Sequence, residues 1–263
     1  MYYLRLIKLF IQVSLQEEMA YHVNFFITLL YSLLNLAIGI LSVVVIFTQV
    51  NSIHGWNFSS TLALLGTYLI LGAIRAIVFG PSFDKLVGID GEVWTGQLDY
   101  TLSRPAPMQL LASARHWRFL PIIDLLIGTG VTCAAIFQLK NGMSIGHILA
   151  FLCALIIGIT ILYALLLFFA SLVFWSPGLL ATRVFDGVFQ MARYPLGLYP
   201  GWVRFALTWI IPVGIITTLP AEALVGMLSP LTLLLSAVGA GIFVIAVSLF
   251  FQMGLRHYAS ASS

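Results

Sequence analysis

The sequence GPSFDKLVGIDGEVWTGQLDYTLSRPAPMQLLASARHWRFLP, residues Gly80–Pro121, is the one long polar stretch of an otherwise apolar chain. It holds four of the nine acidic residues and four of the twelve lysines and arginines. The 263-residue chain has 61% hydrophobic and only 8% charged residues, whereas about a quarter of the residues of soluble proteins are charged. The composition therefore predicts an integral membrane protein in which this stretch meets soluble partners.

Long runs without Asp, Glu, Lys or Arg make up most of the remaining sequence. These runs are residues 19–74, 125–139, 141–182, 205–221 and 223–255. About 20 apolar residues cross a bilayer as a helix, so the first and third runs can hold more than one crossing. The pattern predicts an all-α integral membrane protein with six transmembrane helices. We place them at about 22–48, 59–79, 119–139, 145–175, 203–218 and 231–253.

Three other segments are predicted to interrupt this simple arrangement. Residues 1–20 carry polar side chains on one helical face, which predicts an N-terminal amphipathic helix that lies in the membrane interface or binds a partner. Residues 179–192 are read as a second interfacial helix. Residues 212–230 contain Pro212, Gly214, Pro220 and Pro230, so this segment is predicted to be broken or re-entrant near the outer surface.

The distribution of basic residues predicts the orientation of the chain. In the six-span arrangement, eleven of the twelve lysines and arginines fall on one side, and Lys140 alone falls on the other. Because lysine and arginine are enriched on the cytoplasmic side of membrane proteins, both termini and the polar stretch are expected to be cytoplasmic.

No pattern of residues indicates an enzyme. The five histidines are scattered, and the sequence contains neither an HExxH motif nor a phosphate-binding loop of the form GxxxxGK[ST]. Glu92 and Asp99 could form an acid/base pair, but an exposed charged loop explains them more simply. We expect a single non-catalytic membrane domain, residues 1–263, that binds no metal, cofactor or nucleic acid.

An ion-coupled carrier is a second possibility to consider. Such carriers usually keep ionisable residues near the middle of the bilayer. Here only Asp124 and Glu222 come near the apolar runs, and both fall close to predicted span ends. Energy for transport is therefore expected to come from outside the chain.

The polar stretch contains a motif that resembles a known family. Residues 93–105 read Val93-Trp-Thr-Gly96-Gln-Leu98-Asp99-Tyr-Thr-Leu102-Ser-Arg104-Pro105, which resembles the loop I-x-x-G-x-L-D-x-x-L-x-R-P of bacterial ABC-2-type exporter permeases, with Val93 in place of isoleucine. Tyr194–Pro200 with Ile211-Pro212 and Leu219-Pro220-Ala221, and the C-terminal Gly254–Ser260, resemble further stretches of these six-span subunits.

The resemblance implies that residues 80–118, here called the coupling loop, form a cytoplasmic coupling helix that docks on a separate ABC ATPase subunit. The residues implied in ATPase coupling are Val93, Trp94, Gly96, Gln97, Leu98, Asp99, Leu102, Arg104 and Pro105. Gly96–Arg104 has turn residues at both ends and apolar Leu98 and Leu102 at i, i+4, a pattern that predicts a short docking helix with these two leucines on one face. The resemblance also implies a gate at the outer mouth of the pathway, formed by Pro212, Pro220 and Glu222. ATP and Mg²⁺ would bind to the ATPase, and the permease would pair with a second permease subunit, identical or related, in the bacterial inner membrane.

The residues themselves leave alternatives open. The loop could be a merely solvated connector, and Trp94 could anchor the chain in the interface. Pro212, Pro220 and Glu222 could mark a kinked span with an exposed carboxylate. The chain as a whole could be an ion-coupled secondary transporter or a non-transporting assembly or scaffold protein.

Overall fold

The computed structural model describes residues 2–19, 22–88, 90–139, 144–176 and 181–258. Within these residues the regular structure is helical apart from one isolated bridge between Ile53 and Trp56, which confirms the predicted all-α class. The helices are α1 Tyr2–Met19, α2 His22–Gln49, α3 Phe58–Ile74, α4 Gly80–Val87, α5 Leu98–Leu102, α6 Met108–Ala114, α7 Ile122–Gln138, α8 Ile145–Ser171, α9 Ala181–Met191, α10 Gly201–Phe205, α11 Val213–Val225 and α12 Pro230–His257.

Four helical segments of the described chain are long and apolar enough to cross a membrane. They are Phe25–Gln49, Phe58–Val87, Ile145–Phe174 and Pro230–His257. A fifth candidate, Gly201–Ile210 followed by Val213–Val225, is bent by 89° at the intervening residues. The predicted third span appears as α7, an apolar helix of 17 residues. The chain is thus a multi-pass membrane protein with four to five span candidates, and six crossings stay a prediction.

The second span candidate extends beyond the membrane segment that the sequence predicts. A π-helix, Arg75–Phe79, joins α3 directly to α4, so that one continuous helical rod runs from Phe58 to Val87. The first residues of the predicted coupling loop therefore belong to the rod. A π-turn leaves a carbonyl without its usual helical partner, and the carbonyl of Ile77 accepts a hydrogen bond from the backbone N–H of Arg118 at 3.1 Å.

The interior of the protein lies between α3, α8 and α11. In the most apolar 18-residue window of each span, 61% of the rod Phe58–Val87 and 50% of Ile145–Phe174 are buried, against 17% of Phe25–Gln49 and 11% of Pro230–His257. The helices α2 and α12 are therefore peripheral and expose apolar side chains along most of their length. The rod that leads into the coupling loop is packed at the centre of the bundle.

Two glycines let α3 and α7 approach closely. A Cβ atom on Gly66 would lie 2.8 Å from the backbone nitrogen of Thr132, and one on Gly128 would lie 2.8 Å from the backbone nitrogen of Ile70. Small residues at helix contacts are a common means of packing helices in membranes. The segment after the coupling loop is thereby held against the rod that precedes it.

Some expectations fall outside the described residues. Lys140, the one basic residue expected on the outer side, lies there, and so does the start of the predicted interfacial helix at residues 179–180. The described part of that helix is α9. Residues 1 and 20 of the predicted N-terminal segment are likewise outside the description, and α1 covers the part between them.

Candidate functional site

Within the coupling loop, the chain turns back on itself where α4 ends. The backbone N–H of Gly88 bonds the carbonyl of Asp84, and the N–H of Gly91 bonds the carbonyl of Gly88, each at 2.8 Å. The N–H of Glu92 then bonds the carbonyl of Lys85 at 2.9 Å. The returning segment of the loop is therefore hydrogen-bonded to the last turn of the rod and does not extend into solvent.

A short helix follows a tight turn in this returning segment. Gly96 has φ +73°, a left-handed conformation that glycine adopts without steric cost. The five-residue helix α5, Leu98–Leu102, comes directly after it. It lies within Gly96–Arg104, where the sequence predicts a docking helix, and it is shorter than that segment.

The predicted apolar face of this helix is divided between the core and the surface. Leu98 is fully buried, whereas Leu102 is 43% exposed. The expectation that Leu98 and Leu102 form one docking face is therefore corrected. Leu98 lies at the start of α5 and packs inward with Val93, which is also buried.

The outer surface of the loop is formed by a different set of side chains. Trp94 is 57% exposed and Tyr100 is 77% exposed, so that both are accessible like Leu102. Gln97, Arg104 and Pro105 are exposed as well, while Gly96 and Asp99 are half-buried. Of the nine residues implied in ATPase coupling, Val93 and Leu98 are thus inaccessible to a partner, and Trp94, Gln97, Leu102, Arg104 and Pro105 are accessible.

Glu92 is the centre of a polar cluster that holds α5 in place. Its carboxylate accepts hydrogen bonds from the hydroxyl of Thr101 at 2.8 Å and from the guanidinium of Arg115 at 2.6 Å. Arg115 also bonds the Thr101 hydroxyl at 3.2 Å. The side chains of Arg115 and Glu92 are only 20% and 14% exposed. Glu92 therefore has a structural role, and it is not the solvated residue that the sequence suggests.

The segment after α6 is tied to the N-terminal helix. The backbone N–H of Trp117 donates to the Ser14 hydroxyl at 3.1 Å. The carboxylate of Glu18 accepts the backbone N–H groups of Phe119 and Leu120. Both acceptors lie on α1, so this amphipathic helix is bonded to the chain entering α7.

The same segment is also tied to α4, and α6 before it is tied to the bundle. The Ser82 hydroxyl exchanges hydrogen bonds with the backbone N–H and carbonyl of His116, at 2.8 and 3.0 Å. In α6, the Gln109 amide donates to the hydroxyls of Tyr163 on α8 and Ser248 on α12, at 2.9 and 3.0 Å. Residues 109–120 are thus bonded to α1, α4, α8 and α12.

Burial lowers the pKa of His116, and the neighbouring Arg115 lowers it further. Both effects disfavour the charged imidazolium. His116 is therefore neutral at neutral pH, and it adds no positive charge beside the loop.

The residues implied in a gate lie in α11 and just before it. Pro212 stands at the sharp bend before α11, Pro220 is buried within that helix, and Glu222 is half-buried one turn before its end. Ala221 packs with Trp56 and Leu64, next to the turn that joins α2 to α3. The contact of Ala221 places the C-terminal part of α11 beside that turn, and the role of the three residues as a gate stays a prediction.

Charged side chains enter the bundle at a place that the sequence does not indicate. Arg75 in the π-helix forms an ion pair with Asp186 of α9, and Arg193 just beyond α9 bonds Asn35. Asn35 is the 14th of the 28 residues of α2, and the guanidinium of Arg193 lies 5.2 Å from the ring centre of Tyr68. The expectation that only Asp124 and Glu222 approach the spans is therefore incomplete.

Sequence reasoning missed the residues that brace the loop, namely Ser14, Glu18, Ser82, Glu92, Gln109 and Arg115. A spacing rule cannot find them because their partners are 23 to 139 residues away, apart from Thr101. The polar character of α1 near Glu18 is the one local signal. Within the described ranges, no three His, Cys, Asp or Glu residues lie close enough to hold a metal ion.

Comparison with known proteins adds one finding. A family model described as an ABC-2 family transporter protein matches residues 33–262. Neither the curated proteins nor the solved structures compared with the chain include a match. The matched region contains the rod, the entire coupling loop and the bent segment before α12.

Proposed function

Because this chain belongs to the ABC-2 transporter family, of which it is a membrane-embedded permease, we propose that it is the transmembrane subunit of an ATP-driven exporter. The coupling loop would dock on a separate ABC ATPase subunit, a partner that the family implies. ATP and Mg²⁺ would bind to that subunit. This chain would supply the translocation pathway and the surface through which the ATPase acts on it.

The bracing of the coupling loop is the observation that supports this proposal. A loop that transmits motion must move as a unit with the spans, since a flexible connector would absorb the displacement. Glu92 joins α5 to Arg115, and Ser82 and Glu18 join the following segment to α4 and α1. A merely solvated connector has no need of such long-range bonds.

The exposed side chains suggest where the ATPase makes contact. Trp94, Tyr100 and Leu102 are exposed apolar side chains on a polar loop, and aromatic residues contribute strongly to the binding energy of interfaces. We propose these three residues, with Gln97, Arg104 and Pro105 around them, as the docking surface. Val93 and Leu98 would support it from beneath.

The remaining features follow from the same proposal. The chain would cross the bacterial inner membrane six times, with α7 as a short span and the bent pair α10–α11 as a broken one. Both termini would be cytoplasmic, and the chain would pair with an identical or related permease. Closure of the ATPase pair on ATP would bias the pathway between inward-open and outward-open states, and Pro212, Pro220 and Glu222 would close its outer mouth.

The test replaces both exposed aromatic residues of the docking surface, Trp94→Ala with Tyr100→Ala. Loss of two interfacial aromatic side chains should weaken ATPase binding by at least about 30-fold, since truncation of even one aromatic residue at an interface hot spot costs about 2 kcal/mol. The measurement is the ATP hydrolysis that co-purifies with the tagged chain from its native membranes. We expect that activity to fall to background while membrane insertion stays unchanged.

A matched control removes two equally exposed tryptophans elsewhere, Trp202→Ala with Trp209→Ala, on and just after α10. This variant should retain the ATPase. Retention of the ATPase by the docking-surface variant as well would contradict the proposal. Substitution of Leu98 cannot replace this test, because Leu98 is part of the core and its loss would disturb folding directly.

A further inference from the structure

A cavity of about 870 Å³ lies beside the coupling loop, between α1, the first turns of α2, the rod and the start of α7. Its walls include Ser14 of α1, Ile27 and Tyr31 of α2, Lys85 of α4 and Asp124 of α7. It is therefore bordered both by an amphipathic helix and by the ends of helices that are apolar further along. This combination of surroundings is that of a membrane interface.

The cavity walls carry unpaired charges of both signs. The carboxylates of Glu17, Asp84 and Asp124 line it, and in the described part of the chain none of them accepts a hydrogen bond or forms an ion pair. The same holds for the side-chain cations of Lys85, Arg118 and Arg183. Glu18 also lines the cavity, but its two oxygens are already occupied by backbone N–H groups. A ligand with one positive and one negative group would find partners for both.

An apolar stripe leads out of the cavity along α2. Ile27 and Tyr31 form the cavity wall, yet they are 62% and 67% exposed, because no part of the described chain covers them. The stripe continues at helical spacing through equally exposed side chains. Its members are Ile27, Tyr31, Leu34, Ile38, Leu41 and Val45.

We propose that the cavity and the stripe together bind one membrane phospholipid whose headgroup carries a phosphate and a primary ammonium. The phosphate would lie against the cations, which are Lys85, Arg118 and Arg183. The ammonium would lie against the carboxylates, which are Glu17, Asp84 and Asp124. An acyl chain would follow the stripe on α2.

The ammonium is specified by the chemistry of the carboxylates. A primary ammonium offers three N–H donors, and charge-assisted hydrogen bonds to carboxylates are among the stronger polar interactions in proteins. A trimethylammonium group has no N–H to donate, and a glycerol headgroup has no positive charge. Phosphatidylethanolamine therefore fits this cavity better than phosphatidylcholine or phosphatidylglycerol.

The experiment titrates the purified full-length chain in detergent with these three lipids, each with the same acyl chains. Native mass spectrometry gives the Kd of each lipid, and tryptophan fluorescence gives the melting temperature. We expect phosphatidylethanolamine to bind most tightly and to raise the melting temperature most. Equal effects of the three lipids would overturn the proposal.

Substitutions in the cavity separate the two parts of the headgroup. Asp84→Asn with Asp124→Asn should weaken phosphatidylethanolamine binding about tenfold, the value of one charge-assisted hydrogen bond, and abolish its advantage over phosphatidylcholine. Lys85→Gln with Arg118→Gln should weaken all three lipids alike. If the Asp124 change prevents folding, Asp84→Asn alone tests the same point, because Asp84 is exposed on α4.

Two charge changes outside the cavity serve as controls, Asp99→Asn in α5 and Arg256→Gln near the end of α12. Neither should alter lipid binding. Retained preference for phosphatidylethanolamine in the Asp84 variants would overturn the proposal. So would an equal effect of water-soluble glycerophosphoethanolamine, since the ligand would then come from solution and need no stripe.

A second copy of this chain is the rival occupant of the stripe. Ile38→Cys, in a chain with Cys133→Ser and Cys153→Ser, tests it by disulfide cross-linking in native membranes. Absence of the cross-link supports the lipid, and an efficient cross-link between two Ile38→Cys chains would overturn its placement. The lipid titrations use the purified chain without an ATPase, so they are decided independently of the proposed export function.

Discussion

Glu92 illustrates how much of this loop depends on single side chains. A carboxylate in a short polar loop is ordinarily solvated, and its removal then has little effect. Here it bonds both the hydroxyl of Thr101 and the guanidinium of Arg115 in a place where both charged groups are mostly buried. Removing one member of such a cluster leaves the other charge without its partner, which is costly.

We therefore expect Glu92→Ala to release α5 from Arg115. The local free energy of opening should fall by about 2 kcal/mol or more, because two hydrogen bonds to the carboxylate are lost, one of them from a charged donor. Hydrogen exchange followed by mass spectrometry should show faster exchange of the amides in residues 98–103.

Asp90→Ala is the control for this change, since Asp90 lies two residues away on the exposed side of the same turn. Its exchange pattern should match that of the unmodified chain. Unchanged protection of residues 98–103 in Glu92→Ala would show that the cluster does not hold α5. Glu92→Gln, which can still accept the Thr101 hydroxyl, should lie between the two.

For α5, the sequence could predict the helix but not which of its side chains are buried. The i, i+4 spacing of Leu98 and Leu102 placed an apolar pair correctly within α5, yet one side chain is buried and the other exposed. Spacing along a helix shows which residues share a face, but it does not show which of those residues the rest of the chain covers. The position of α5 depends on the hydrogen bonds of Glu92 to Thr101 and Arg115, and these residues are 9 and 23 positions away in the sequence.

Among the helices, the contact of α3 with α7 depends on backbone proximity. Gly66 and Gly128 face the backbone of the opposite helix at distances that a Cβ atom cannot occupy without displacement. A backbone atom cannot swing aside as a long side chain can. Any larger residue at these positions must separate the two helices.

Gly128→Ala should therefore destabilise the protein even though alanine is the better helix former. The expected loss is about 1 to 3 kcal/mol, typical of overpacking in a tight interior. The matched control is Gly130→Ala on the same helix, where an added Cβ meets nothing within 4 Å. It should be neutral or stabilising by up to about 1 kcal/mol. Thermal unfolding in detergent compares the two, and equal melting temperatures would refute the close contact.

The positions of the long helices were largely predictable from the sequence, whereas the breaks between them were predictable only in part. The charge-free runs located α2, α3, α8 and α12, because about 20 apolar residues are needed for a span. The chain bends next to Pro212, between α10 and α11, whereas Pro220 of the predicted broken segment lies inside the continuous helix α11. The 89° bend itself and the packing of α9 against the rod through Arg75 and Asp186 depend on tertiary contacts that no local pattern contains.

For the whole molecule, the decisive question is which side of the membrane the coupling loop faces. The count of basic residues predicts the cytoplasmic side, and an ATPase partner requires it. The turn between α2 and α3, residues 50–57, should then face outward. This relation follows because the rod Phe58–Val87 leads from that turn directly to the loop.

Single cysteines measure this orientation. In a chain with Cys133→Ser and Cys153→Ser, Tyr100→Cys should react with a membrane-impermeant maleimide only after the cells are opened. Asn51→Cys should react in intact cells. Labelling of Tyr100→Cys in intact cells would place the loop outside and exclude a cytoplasmic ATPase as its partner.

The π-helix Arg75–Phe79 has a consequence for how the molecule tolerates change in length. Successive residues of an α-helix are related by a rotation of about 100°. The number of residues in the π-helix therefore sets how α4 is rotated about the helix axis relative to α3. Deleting one residue of the π-helix would rotate α4 by about 100° relative to α3. Ser82 would then no longer face His116, although the composition and hydropathy of the chain would hardly change. The rod should therefore tolerate substitution of its side chains far more readily than the insertion or deletion of a residue.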